Sequence, residues 1–378
     1  MSGERVAVVG AGIVGLAYAV GAVERGHQVT VFERDARASG ASIRNFGMLW
    51  PIGQALTPAY ATALRSRAVW SRLAEQAGVW LSARGSLHLA HADDEWRVLE
   101  EFHAAATAAG IECRLLEAEE VLARSPVANP VGLRGGLWSD TEAGVDPRRA
   151  VAAIATFLGG RPGVAFEFGT AVTGVKHGAV TTADGRVHGC DRIVVCGGSD
   201  VETLLPGLLA REGVRRCKLQ MLATPPALLP RGLGPFVAGG LTLRHYGNFA
   251  GCPGLDRVRR RVADEAAELD RYGIHVMIAE TEDGRLVLGD SHEYDAAIEP
   301  FDKQCIDDLI LRELRRIAVL PEWTIAERWH GIYGKHPSLP IVRVEHEPGV
   351  FVRVGTGGAG MTMAFGFAEE DWDDWSRG

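Results

Sequence analysis

The sequence predicts an α/β fold, α+β overall, in which one domain is assembled from separated stretches of chain. Three observations carry this. An apolar run, Val6-Ala7-Val8-Val9, enters Gly10-Ala11-Gly12-Ile13-Val14-Gly15, and the next apolar run closes on Glu33. In mid-chain, Val194-Val195-Cys196 runs into Gly197-Gly198-Ser199. Near the end, Gly355-Thr356-Gly357-Gly358-Ala359-Gly360-Met361-Thr362 opens a final helix. Each is a strand that ends on glycine, where backbone can approach a ligand closely.

The first of these reads as strand 5–9, helix 13–25 and strand 27–32 ending on Glu33. Gly10 allows the tight turn, Gly12 lets a pyrophosphate approach the backbone, and Gly15 lets helix and strand pack closely. The helix N-terminus offers free N–H groups and partial positive charge to that pyrophosphate. Glu33 stands roughly 20 residues on, where a carboxylate accepts from ribose hydroxyls. With strand, helix and acid all in place, a Rossmann-like dinucleotide site is the reading. A glycine-rich turn of some other doubly wound protein is the bland alternative.

After a polar connector, 34–42, an amphipathic helix is expected over 58–77, with Leu64, Val69, Trp70 and Leu73 as its buried stripe. A strand follows at 85–90, then a helix over 93–109 ended by Gly110, a short helix over 117–123 and a strand at 136–139. Asp146-Pro147 starts a helix with an acidic N-cap and proline in its first turn. A meander of short strands is read at 164–168, 172–176, 179–182 and 192–195, with Asp184-Gly185 as a turn signal. Further strands are expected at 219–224, 275–280, 285–288 and 350–354, and helices over 255–272 and 302–319. Three glycine-rich approaches over the whole length imply one extended cofactor, held by a discontinuous domain.

The bulk numbers limit the partners. The chain has 378 residues, 47% of them hydrophobic, and a net charge of −8. A nucleic-acid partner has little support from that charge. No apolar run reaches the length of a membrane span. With the first strand starting at residue 5 no signal peptide is expected, and the expected location is cytoplasmic. Six cysteines without CxxC spacing argue against a zinc site or a disulfide framework, so no metal is expected. Only Lys176, Lys218, Lys303 and Lys335 are lysines, so one beside a site motif stands out.

Together these motifs resemble the FAD-dependent amine oxidoreductases of the D-amino-acid oxidase class, near glycine and sarcosine oxidase, over essentially the whole chain. A narrower resemblance lies in Ser42-Ile43-Arg44-Asn45-Phe46-Gly47-Met48-Leu49-Trp50-Pro51 and Gly289-Asp290-Ser291-His292-Glu293-Tyr294. These segments are similar to a bacterial subgroup associated with 2-aminoethylphosphonate catabolism. The resemblance implies a discontinuous Rossmann-like FAD-binding domain (1–80, 140–215 and 322–378). It also implies a substrate domain (81–139 and 216–321) whose mixed sheet roofs the flavin. It implies that Gly10, Ala11, Gly12, Ile13, Val14 and Gly15 hold the pyrophosphate, with Glu33 and Arg34 at the adenosine ribose and Val172 at the adenine. Ser42, Asn45, Gly47 and Met48 would line the flavin and its phosphates. Cys196, Gly197 and Gly198 would make the mid-chain approach, and Gly358, Gly360, Met361 and Thr362 would present N–H groups to the flavin pyrimidine edge.

The family reaction is oxidation of a C–N bond, with hydride passing from the α-carbon to flavin N5 and the imine then hydrolysed. No dedicated acid or base is required of the protein. Three departures from the family pattern bear on substrate and acceptor. Tyr333, in Trp329-His330-Gly331-Ile332-Tyr333-Gly334, stands where an arginine clamping a substrate carboxylate is expected. Loss of that arginine fits an amine whose anion lies elsewhere, such as an aminophosphonate. Arg44, Asn45, His245, Tyr246, His292, Tyr333, Lys335 and His336 are the substrate-side candidates. Val287 stands where sarcosine oxidases carry an oxygen-activating lysine, which leaves O₂ or another electron acceptor open. No cysteine falls between Tyr333 and Pro340, so FAD is expected to be non-covalent.

Structural alternatives stand beside these roles. Tyr333 fits a core position with its hydroxyl satisfied, Arg44 fits a phosphate contact, and His245 and Tyr246 fit a solvent-facing surface. The leading functional reading is oxidation of N-methyl-2-aminoethylphosphonate or 2-aminoethylphosphonate to phosphonoacetaldehyde. The alternatives are a glycine, sarcosine or D-amino-acid oxidase or dehydrogenase, a flavin monooxygenase using Gly289-Asp290, and a non-catalytic flavoprotein. The oligomeric state is left open.

Overall fold

The computed structural model describes residues 3–377. Its first sheet has six strands in the order Val342–Glu347, Val350–Val354, Arg192–Val195, Arg5–Val9, Gln28–Glu33 and Val164–Phe168. All neighbours are parallel except the first pair. The central strands are apolar on both faces because both are covered. Val6, Val8, Val29, Val31 and Val194 join a core with the helices Ile13–Glu24, Ala59–Ala77, Pro147–Gly159 and Gly360–Trp375. On the other face, Ala7, Phe32, Ile193 and Val195 meet Val180 of a small antiparallel sheet, Val172–Lys176, Ala179–Thr182 and Val187–Gly189.

A second, larger sheet runs Glu293–Asp295, Arg215–Ala223, Leu286–Gly289, Met277–Glu280, Phe236–Ala238, Ser86–Ala90, Gly135–Ser139 and Arg114–Glu117. A further strand, Glu327–Lys335, pairs with Arg215–Ala223 over nine residues. The helices Asp93–Ala108, Leu255–Glu265 and Gln304–Ile317 contribute to the same core as this sheet. No helix among the described residues is long and apolar enough to cross a membrane.

Several expectations change. The stretch 164–195 is not one meander: its outer strands join the six-stranded sheet at separate places, and its middle strands form the small sheet. Residues 327–335, expected with the nucleotide-binding segments, lie in the larger sheet instead, because nine backbone pairings hold them there. The helix expected over 255–272 breaks at Ala266, whose φ of −155° and ψ of 58° are not helical. Leu64 is 37% exposed, and Ala63 and Ser66 take the buried stripe with Val69, Trp70 and Leu73. Asp146 caps its helix as expected, accepting from the N–H groups of Arg148 at 3.1 Å and Arg149 at 3.4 Å.

Two buried polar groups contrast in how their bonding is completed. Asp371, on the final helix, accepts from the Tyr18 hydroxyl and from Arg353, and pairs with Arg343 at 3.0 Å. Removing that carboxylate would leave Arg353 buried without an ion partner, at about 3–5 kcal/mol. His88 differs, because neither ring nitrogen has a partner. Its ring lies 4.8 Å from Trp50 and 5.1 Å from Phe249, and burial pushes its pKa down to about 3.

Between about pH 6.5 and 3 the unfolded chain holds a proton on His88 that the folded chain refuses, so this group destabilises the fold as pH falls. His88→Leu removes that penalty without orphaning a partner. Its stability relative to wild type, read by urea unfolding, is expected to rise by up to about 1.4 kcal/mol per pH unit below about pH 6. A difference that stays flat with pH contradicts the assignment.

Candidate active site

The six-stranded sheet ends in backbone held too close for side chains. Gly10 has φ +105°, and a Cβ on it would stand 2.6 Å from the Cys196 carbonyl oxygen. A Cβ on Gly15 would stand 1.9 Å from the Gly10 carbonyl oxygen. Gly12 precedes the helix Ile13–Glu24 and supplies no side-chain cap, while the Ser42 hydroxyl accepts from the Ile13 N–H at 2.9 Å. Glu33 is fixed from two sides, its oxygens accepting from Ala11 N–H at 2.9 Å and Asp35 N–H at 3.1 Å. The final helix begins at Gly360, also without a side-chain cap, so its first N–H groups have no partner within the helix.

Gly10, Gly12, Glu33, Ser42 and Gly360 line one cavity of about 360 Å³, within the range of cofactor sites. Its lining starts at Glu33, Arg34 and Val172. It passes Gly10, Gly12, Ile13, Val14 and Ser42, with Cys196, Gly197 and Gly198 opposite, and reaches Met48, Gly358, Gly360, Met361 and Thr362. It ends under the larger sheet at Leu219, Met221, Tyr246, Met277, Asp290, His292 and Tyr333. Arg44 and Asn45 also line it. Two helix N-termini, a fixed carboxylate and bare glycine backbone on one cavity fit a dinucleotide.

Several candidates do other work. Gly15 packs on Gly10, and Ala11 gives its N–H to Glu33; neither lines the cavity. Gly47 is also absent from the lining: at φ +73° its backbone passes so close to Val145 that a Cβ would stand 2.0 Å from that carbonyl oxygen. The Asn45 amide is spent on its own turn, donating to Ala41 and Ser42 carbonyls and accepting from Gly47 N–H at 2.8 Å. The Thr362 hydroxyl accepts from Trp50 N–H at 3.0 Å, tying helix to loop. Arg34 pairs with Asp200. His336 lies outside the cavity and caps a turn, with Nδ1 accepting from Leu339 N–H at 2.8 Å.

On the substrate side, Arg44 donates to the His330 carbonyl at 3.3 Å and has no carboxylate partner among the described residues. Tyr333 is buried, and desolvation beside Cys217 and Tyr294 pushes its hydroxyl well above its ordinary range, so it is a neutral donor. His245 and Lys335 stand behind the lining, not in it. Two residues that sequence reasoning missed as site residues belong here. Asp290 lines the cavity, and His275 lies behind it with Nε2 3.2 Å from the Asp290 carboxylate.

Comparison with known proteins agrees with this geometry. A family model described as DAO, FAD dependent oxidoreductase, matches residues 5–370. The chain belongs to that family, an enzyme family with FAD as cofactor. Glycine oxidase from Geobacillus kaustophilus (strain HTA426) is 26% identical over 205 residues, covering 51% of this chain and 54% of that relative. The chain thus spans about half the length of that curated relative. Among solved structures, glycine oxidase from Bacillus cereus ATCC 14579 aligns with TM-score 0.77 and 20% identity over 99% of this chain and 95% of that one. L-proline dehydrogenase from P. horikoshii aligns with TM-score 0.76 and 19% identity, over 100% and 94%. At these identities the structures support the fold.

Two outcomes follow from the cavity. Gly10→Ala meets both a positive φ and the Cys196 carbonyl, a strain of about 1–3 kcal/mol or more. FAD affinity, measured by reconstitution of apoprotein, is expected to fall at least about tenfold; unchanged affinity would contradict the tight turn. Because Cys196 is the one cysteine lining the cavity among the described residues and burial raises its thiol pKa, acid precipitation is expected to release all the flavin into the supernatant. Yellow colour left in the pellet would contradict this.

Proposed function

We propose that this protein oxidises the C–N bond of a small primary or secondary amine that also carries an anion, with N-methyl-2-aminoethylphosphonate or 2-aminoethylphosphonate as substrate. The products are phosphonoacetaldehyde and methylamine or ammonia, after water hydrolyses the imine. The observation that carries the reading is Tyr333 on the strand Glu327–Lys335, a neutral donor where a carboxylate-clamping arginine is expected. FAD, when bound, supplies the hydride acceptor at N5.

The chain's own residues bind, orient and exclude water. Arg44, with no carboxylate partner among the described residues, lines the cavity as an unspent cation, and Tyr333 donates to the anionic group. Leu219, Met221 and Met277 form an apolar wall that keeps water from the reacting carbon. Met48, Gly360 and Met361 support the opposite side. No lysine lines the cavity among the described residues, and Val287 is buried within the larger sheet, so reaction with O₂ is expected to be slow and another acceptor is favoured.

A second reading, oxidation of glycine, sarcosine or a D-amino acid, draws support from the likeness to glycine oxidase. The monooxygenase reading loses its motif. Gly289 ends a strand of the larger sheet, and Asp290 leads into the strand Glu293–Asp295 instead of a helix.

Anaerobic addition of N-methyl-2-aminoethylphosphonate is expected to bleach the flavin. Bleaching by sarcosine alone would move the assignment to the second reading, and bleaching by no amine would favour a non-catalytic flavoprotein. Tyr333→Phe is expected to raise KM about 10–100-fold, the loss of one charge-assisted hydrogen bond to the anion, with a smaller effect on kcat.

A further inference from the structure

We propose that His292 and Asp290 on the cavity wall, backed by His245, His275 and Lys335, form a subsite that binds the dianionic group of the substrate and takes up a proton as it does so. This rests on the anionic-amine reading and names where, and in what charge state, the anion is held.

Geometry makes the site. The ring centroids of His245 and His275 lie 4.4 Å apart, those of His275 and His292 4.9 Å, and those of His245 and His292 5.6 Å. One nitrogen of each ring lies within 4.8 Å of the others. His292 lines the cavity. Its Nδ1 sits 3.2 Å from the Gly273 carbonyl, so Nδ1 carries the hydrogen and Nε2 is left as an acceptor. His275 and Asp290 are almost fully buried, yet His275 Nδ1 has no hydrogen-bond partner among the described residues and Asp290 Oδ1 faces His275 Nε2 at 3.2 Å. Such an orphan is rare in folded proteins and marks a place where something else completes the bonding.

The charges facing the cluster favour an anion. Lys335 reaches it from the strand Glu327–Lys335, its Nζ 5.9 Å from the Tyr294 ring, and has no carboxylate partner among the described residues. Arg244, next to His245, is committed to Asp270. Tyr246, Tyr294, Tyr333 and the Cys217 thiol also face the group, and burial raises the pKa of each, so all four stay neutral. Burial holds His292 at about 4, pushes His245 and His275 well below their ordinary range, and raises the Asp290 carboxyl. Before ligand binds, the cluster is therefore neutral apart from the one ammonium.

A carboxylate brings one negative charge, which Lys335 balances. A dianion brings two, and in a buried site the second charge favours protonation of an adjacent imidazole. A proton from solvent then adds to an imidazole nitrogen. Binding becomes linked to pH: affinity weakens as pH rises, because uptake is harder from a more basic solution. A divalent cation in the same place would face the Lys335 ammonium.

The test is titration calorimetry of the holoenzyme with ethyl phosphate, which carries the same dianionic group and has no amine to oxidise. At about pH 8.5 this probe is already a dianion, since the second ionisation of a phosphate monoester falls near 6. Runs in two buffers of different ionisation enthalpy count the protons. Uptake of about one proton per ligand is expected. His275→Asn and His292→Asn are expected to weaken binding about tenfold or more and to abolish the uptake, with flavin absorbance retained. Lys335→Met serves as a further variant and should weaken binding without abolishing uptake. Binding without proton uptake, or unchanged affinity in both histidine variants, overturns the subsite while leaving the function reading intact. No binding to wild type, together with bleaching by sarcosine, overturns both. Stoichiometric metal in the purified protein would make the cluster a metal site and overturn the proposal.

Discussion

The structure depends on backbone brought closer than any side chain permits. At the end of the first strand, the Gly10 turn lies against Cys196 on one side and Gly15 on the other, and a Cβ at either glycine would collide with a carbonyl oxygen. This approach lets the N-terminus of Ile13–Glu24 open directly onto the cavity. It also fixes where the strand Arg192–Val195 must end, since Cys196 N–H bonds to the Val9 carbonyl at 2.8 Å. The third approach, at Gly357 to Gly360, reaches the same cavity from the C-terminal end of the chain.

The second half of the site has a different physical character. The nucleotide end is backbone, glycine and one fixed carboxylate. The substrate end is a sheet face carrying aromatic, sulfur and imidazole side chains, and nearly every titratable group there is held neutral by burial. Arg44 and Lys335 are the exceptions among the cations near it. A small anionic amine entering this environment would meet few charges, each strongly felt because little water screens it.

The two halves differed in how far they could be read from the sequence. The unit Arg5 to Glu33 was legible to within a residue or two because every signal in it is local: an apolar run, fixed glycine offsets, an acid at the next strand end. The cap at Asp146 was legible for the same reason. The strand Glu327–Lys335 was not, because its residues do not alternate and its partner lies more than a hundred residues away. His275 and Asp290 were missed as site residues because nothing in their own segments shows that the sheet brings them to His245 and His292. Gly47, Asn45 and Gly15 carried motif matches, yet Gly47 and Gly15 serve close backbone passages and the Asn45 amide serves its own turn. A motif fixes a backbone shape; which of its atoms face the cavity depends on packing that no single segment encodes.

The central claim is that one cavity joins a backbone-built nucleotide site to a substrate face on the larger sheet. A crystal structure of the holoprotein soaked with ethylphosphonate tests it most directly. The account predicts FAD along the line from Glu33 to Thr362, with the phosphonate between the reactive edge of the flavin and His292, Tyr333 and Lys335. Phosphonate density away from these residues, or a flavin ring that does not reach the larger sheet, would contradict it.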